Sequence, residues 1–176
     1  SIVSGEEPLL GIEPSALLGF RDEYPALVDP SLRKTSRELA SHCLLLDEFI
    51  VREADAGRID SACFTDEART IHVHGHCHQK ALASTDPTLQ MLSLPENYSV
   101  SEIPSGCCGM AGSFGYEKEH YEVSMQVGSL VLFPHLKKID QSILIAAAGT
   151  SCRHQITDGV DRTALHPAKI LRDAFA

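Results

Sequence analysis

Apolar positions fall into two rhythms that alternate along the chain. Pro8-Leu9-Leu10-Gly11-Ile12 is a short apolar run that reads as a buried strand, and Glu13-Pro14-Ser15 stops it. Ser15 is placed to cap a helix running through Tyr24. From Ser31 to about Glu53, Leu39, Cys43, Leu46 and Ile50 recur at helical spacing, which predicts one helix with a buried face and puts Cys43 in the core. Thr70-Ile71-His72-Val73-His74 alternates as a strand does, and after Gly75-His76-Cys77 the stretch Gln79-Lys80-Ala81-Leu82-Ala83 favours a helix. The same succession returns from Tyr98 to Ile103. Pro104-Ser105-Gly106-Cys107-Cys108-Gly109 then intervenes before a long helix marked by Tyr116, His120, Val123, Val127 and Leu130. Ser142 to Ala148 is a continuous apolar run, followed by Gly149-Thr150-Ser151, Cys152 and a short helix; a last helix follows Pro167.

Strands that alternate with helices predict an α/β fold, a parallel sheet flanked by helices on both faces, because parallel neighbours need crossover connections. One compact domain with a short N-terminal appendage is expected. No low-complexity segment interrupts it, and the only internal repetition is the strand-loop-helix unit itself.

Composition narrows the function. At 43% hydrophobic and 22% charged residues, 176 residues suffice for one sizeable core. No apolar run approaches the roughly 20 residues of a membrane span, and the start lacks a signal-peptide pattern, so a cytoplasmic protein is expected, with peripheral membrane attachment left open. A net charge of -9 without a basic cluster argues against nucleic acid as a partner. The opening Ser1-Ile2-Val3, without Met, suggests a piece of something longer.

Six cysteines and nine histidines change the picture further, since in a cytoplasmic chain such residues favour metal or catalysis over disulfides. Cys77, the pair Cys107-Cys108, and Cys152 each fall just after a predicted strand and before a predicted helix. The cysteine loops should therefore lie together at the C-terminal ends of the strands, where open parallel sheets bind ligands. Helix N-termini there favour thiolates, and three or four thiolates at one spot suffice to anchor an iron–sulfur cluster. Adjacent cysteines suit a cubane poorly, which points to an unusual cluster, a shared ligand, or one ligand beside a supporting thiol. Among His72, His74, His76 and His78, His74 and His76 are the expected neighbours of a cluster. Cys43 and Cys63 are given no role, and Glu13 is read as a capping or turn residue bordering the same crevice.

Gly75-His76-Cys77-His78-Gln79-Lys80, Ser105-Gly106-Cys107-Cys108-Gly109-Met110-Ala111-Gly112 and Gly149-Thr150-Ser151-Cys152-Arg153-His154-Gln155 together resemble the cysteine-rich CCG domain family, of the type found in heterodisulfide reductase and in the iron–sulfur subunit of glycolate oxidase. The resemblance covers about residues 8 to 176. Gly11-Ile12-Glu13-Pro14-Ser15, Phe20-Arg21-Asp22-Glu23 and Leu165-His166-Pro167-Ala168 look most like the C-terminal region of fused FAD-linked oxidases. It implies that residues 1–30 end a preceding cysteine-rich repeat packed on the main domain, and that residues 31–176 form the CCG domain. It further implies an electron-carrying cluster, 4Fe-4S or otherwise, on Cys77, Cys107, Cys108 and Cys152, with FAD in a dehydrogenase domain and a ferredoxin-like domain as partners, and a 2-hydroxy acid such as lactate or glycolate as substrate.

Two departures bear on that reading: Cys152 is followed by Arg153-His154-Gln155 where the family often has Cys-x-x-Cys, and Ala16 stands where many relatives place Cys. His154 or His76 would then complete the site, or it would hold zinc on a few thiolates and a histidine. A zinc-binding or metal-free docking module of the same enzyme is the alternative function; a thiol-disulfide role for Cys107-Cys108 ranks behind it.

Overall fold

Residues 3–176 are described by a computed structural model, and Ser1 and Ile2, part of the expected N-terminal unit, lie outside the described residues. The chain runs β1 (Leu9–Gly11), α1 (Pro14–Arg21), α2 (Tyr24–Leu27), α3 (Arg33–Ala40), β2 (Cys43–Leu45) and α4 (Leu46–Asp55). Then come β3 (Arg69–His74), α5 (Cys77–Leu82), α6 (Asp86–Leu92), β4 (Tyr98–Glu102), α7 (Tyr121–Leu130), α8 (Leu132–Lys138), β5 (Leu144–Ala147), α9 (Thr150–Val160), β6 (Ala164–Leu165) and α10 (Pro167–Arg172). The α/β class read from the sequence is the one observed.

Four parallel strands in the order β4-β3-β5-β6 form the main sheet. Alternation along β3 divides its side chains between two layers. Ile71 and Val73 join Ala146 of β5 under Met91, Leu92, Ile170 and Leu171, so α6 and α10 cover one face. On the other, Ile145 and Ala147 pack with Leu132, Phe133, Leu136 and Ile156 of α8 and α9. His72 and His74 are in register with Ile145 and Ala147 and so share this second face.

A second parallel pair, β1 with β2, stands apart from the main sheet. Leu17, Leu18, Cys43 and Leu45 form its small core, against which Ala83 at the end of α5 packs. The Arg21 guanidinium stitches α1 to β2 and α4, donating to Cys43 O at 2.6 and 2.9 Å and pairing with Glu48.

Three local expectations are corrected. The single helix expected from Ser31 to Glu53 is broken: α3 ends at Ala40, and Cys43, Leu44 and Leu45 pair with β1 instead. Strand pairing overrides the helical spacing there; Cys43 is buried as expected, at 1% exposure, but on a strand. Ser15 is not the cap of α1. Glu13 holds that position with Pro14 as the first helical residue, and the Ser15 hydroxyl donates to the Glu13 carboxylate at 3.1 Å. Tyr116 belongs to a 3-10 turn, Phe114–Tyr116, and the helix beyond begins at Tyr121.

Ile71, fully buried in the central strand, tests this core. Ile71→Ala is expected to lower unfolding free energy by about 2–5 kcal/mol in urea titration. A loss below about 1 kcal/mol would mean that the layer between β3, α6 and α10 is not what holds the sheet.

Candidate metal centre

Parallel pairing brings the C-terminal ends of β3, β4 and β5 to one edge, and each runs into a cysteine loop. The chain builds β4 on one side of β3 and then crosses back to lay β5 on the other, so the crevice between β3 and β5 is a topological switch point. Cys77 is the first residue of α5 and Cys152 the third of α9, so both thiols lie within the first turn of a helix, where the unpaired N–H groups favour negative charge. Cys107 and Cys108 occupy the loop beyond β4, and the Gly109 N–H donates to Cys107 Sγ at 3.3 Å.

Cys77, Cys108, Cys152, His76 and His78 line a cavity of about 240 Å³, with Ser15 on the rim contributed by α1. Behind them sits His74, 1% exposed. One donor atom each from His74, Cys108 and Cys152 lies within 4.8 Å of the others, and all three residues are buried. His74 Nδ1 is 2.8 Å from Ser105 Oγ, while Nε2 is buried without a hydrogen-bond partner.

All four thiols are unbridged and share hydrogen bonds. Bonds from Cys108 and Cys77 hold the Cys107 thiol well below its ordinary range, aided by the N–H groups of Gly109 and Ala111. Cys152 is pushed down to about 5, first by the Cys108 thiol and then by the His74 and His76 imidazoles. Cys77 and Cys108, the donors to Cys107, are pushed up by those bonds and by burial. Such a set gives up some protons readily and retains others, and a bound cation would displace the rest. Soft sulfur donors with an unpartnered imidazole nitrogen suit zinc or iron–sulfur chemistry.

Side chains committed to backbone carbonyls hold the loops. Gln155, 1% exposed, donates through Nε2 to Cys108 O and Ser124 O, each at 3.0 Å. Lys80 Nζ donates to Ser105 O at 2.6 Å, and Arg153 Nη1 to Ala147 O and Ala148 O at 3.0 and 2.6 Å. Glu13 reaches across from the N-terminal segment, accepting from Thr150 N at 2.9 Å and Thr150 Oγ1 at 3.1 Å, which caps α9. Its expected capping role is thus exercised on a distant helix. Gly109 has φ +103°, and a Cβ there would meet Ser124 O at 2.1 Å, so only glycine fits.

The structure brings Cys77, Cys107, Cys108, Cys152 and His76 together; His76 also caps α5, its Nδ1 accepting from His78 N at 3.2 Å. It does not bring His154. That residue follows Cys152 by two positions, about 200° around the helix, and is exposed with Nδ1 2.6 Å from the Tyr116 hydroxyl. Sequence reasoning misses Ser105 and Gln155 as supports although both stand inside the cysteine motifs; Ser124 carries no signal in the sequence.

Fold and site define a cysteine-rich α/β module with donors suited to a metal, related to oxidoreductases. The chain is 26% identical over 171 residues to a subunit of anaerobic glycerol-3-phosphate dehydrogenase from Escherichia coli K12, covering 96% of this chain and 41% of that protein. To D-2-hydroxyglutarate dehydrogenase of Pantoea ananatis it is 28% identical over 165 residues, covering 93% of this chain and 15% of that protein. The same dehydrogenase of Escherichia coli K12 matches at 24% identity over 165 residues, again 93% and 15%. The chain thus spans less than half the length of these curated relatives. No protein-family model matches it, and no solved structure gives a significant match.

Gly149 tests the loop geometry, because a Cβ there would meet His76 Cδ2 at 2.4 Å and Cys152 Sγ at 3.1 Å. Gly149→Ala is expected to displace both and to raise the alkylation rate of Cys152 severalfold, read by mass spectrometry, with the circular dichroism of the sheet retained. An unchanged rate would show that the loop accommodates the methyl group.

Proposed function

We propose that this chain is the C-terminal iron–sulfur module, of CCG type, of a FAD-linked 2-hydroxyacid oxidoreductase, passing electrons from flavin toward an acceptor. The observation that carries the reading is the convergence of Cys77, Cys107, Cys108 and Cys152 from three strand ends, with Cys77, Cys108 and Cys152 lining one cavity. Cys77, Cys107, Cys108 and Cys152 would hold the cluster, with His76 beside it. A bound cluster supplies one-electron oxidation and reduction at potentials set by burial and hydrogen bonds. The chain's own part is to keep the site dry, with Cys108 and Cys152 each 2% exposed, and to donate the Gly109 N–H to sulfur.

The similarity to polypeptides named as dehydrogenases of glycerol-3-phosphate and D-2-hydroxyglutarate supports a small hydroxylated acid or phosphate ester as substrate of the whole enzyme. The flavin and ferredoxin-like domains belong to the remainder of that enzyme or to a partner. Residues 1–30 are assigned to the end of a preceding repeat: β1 leads into α1 as β5 leads into α9, and β1 pairs outside the main sheet. Six unbridged cysteines suit a reducing cytoplasm, and among the described residues no helix is long and apolar enough to cross a membrane.

One observation favours a second reading, a zinc-binding docking module: α9 offers a single cysteine, and the compact donor group is two thiols with a histidine. Anaerobic purification followed by iron, sulfide and zinc analysis separates the two. The expected result is iron with sulfide, both lost in Cys108→Ser while the fold persists by circular dichroism. Zinc in the wild type would overturn the electron-carrier role in favour of the docking module, and a metal-free wild type would overturn both metal readings.

A further inference from the structure

His74 occupies a position that ordinary packing does not account for. It is 1% exposed, points from β3 onto the face where α8 and α9 pack, and leaves Nε2 buried with no hydrogen bond of ordinary geometry, beside the Cys152 thiol that it helps to hold low. Its other nitrogen is fully used. Ser105, 5% exposed, has its hydroxyl 3.5 Å from Ile103 O, to which it donates, and 2.8 Å from His74 Nδ1. When the Ser105 hydroxyl donates to Ile103 O it accepts from Nδ1, and in that tautomer the Nε2 lone pair is left available to a metal. Its donor atom is within 4.8 Å of both Cys108 Sγ and Cys152 Sγ.

We infer that His74 is itself a ligand, binding through Nε2 the same soft metal as Cys108 and Cys152, with Ser105 as the positioning residue that fixes its tautomer. The inference rests on the proposed metal centre and adds to it a donor outside the four cysteines. Neither polar neighbour of Cys152 on α9 can serve instead, since Gln155 is committed to Cys108 O and Ser124 O, and His154 faces solvent beside Tyr116. A neutral imidazole adds no negative charge to the site, where a further thiolate would. Mixed thiolate and imidazole ligation therefore sets a higher reduction potential than thiolates alone, as a reduction in site charge does in other iron–sulfur centres.

The test is pulsed EPR for nitrogen hyperfine coupling, on the anaerobically purified protein in its paramagnetic state and on apoprotein loaded with Co²⁺ alone. Wild type is expected to show coupling to one directly bound imidazole nitrogen. His74→Cys should retain metal, lose the coupling and titrate at a lower potential, while Ser105→Ala, the milder change, should keep the coupling but weaken Co²⁺ binding by about 10–100-fold. Metal-loaded wild type without nitrogen coupling, or coupling that persists in His74→Cys, would overturn the inference and leave the metal centre standing. A wild type that takes up neither iron nor Co²⁺ would overturn the metal centre and the inference together.

Discussion

Parallel pairing on both sides of β3 is the constraint from which the rest follows. Ile71 lies between Val100 and Leu144, and Val73 between Glu102 and Ala146, all strands running the same way. Had either neighbour been antiparallel, its cysteine loop would have emerged at the opposite edge, a strand's length away. Shared direction makes residues 77, 107, 108 and 152 neighbours in space. Crossover helices then follow as a necessity, and their N-termini fall beside the thiols of Cys77 and Cys152 without further design.

The loops are tied to one another as well as to their own strands. Lys80, on the helix after β3, grips Ser105 O in the loop after β4; Gln155, on the helix after β5, grips Cys108 O in that same loop. Arg153 closes the end of β5 through two carbonyls. Long polar side chains thus satisfy buried backbone acceptors at the crevice and fix the loops that carry the cysteines.

How much of this was legible in the residues depended on range. β3, β4 and β5 stood out because alternation or an unbroken apolar run is a local signal, and the cysteine loops because glycine and thiol cluster within a few positions. β2 was hidden: Leu39, Cys43 and Leu46 fit a helical stripe, and only the presence of β1 alongside makes Cys43–Leu45 a strand. β6, with two residues, is too short to register, and α6 and α8 fell between stronger patterns. At the site, the cysteines were read from their place after strands, and His74 and His76 were picked out as neighbours of the cluster, but His154 was set beside them wrongly. His154 adjoins Cys152 in sequence and turns away from it, while His74 lies three residues before Cys77 on another element and faces Cys108 and Cys152. Helix phase and strand facing decided both, and neither follows from proximity along the chain.

The bond from Glu13 to Thr150 joins residues 137 positions apart. During synthesis from the N-terminal side, this cap for α9 is made early and waits for its helix until everything between the two has left the ribosome. β3 likewise stays without β5 until residue 147 has appeared, after Cys77, Cys107 and Cys108 have been made. The crevice therefore closes late, as a knot drawn tight by two distant stretches of polypeptide, and the thiols must be kept from oxidation throughout the interval.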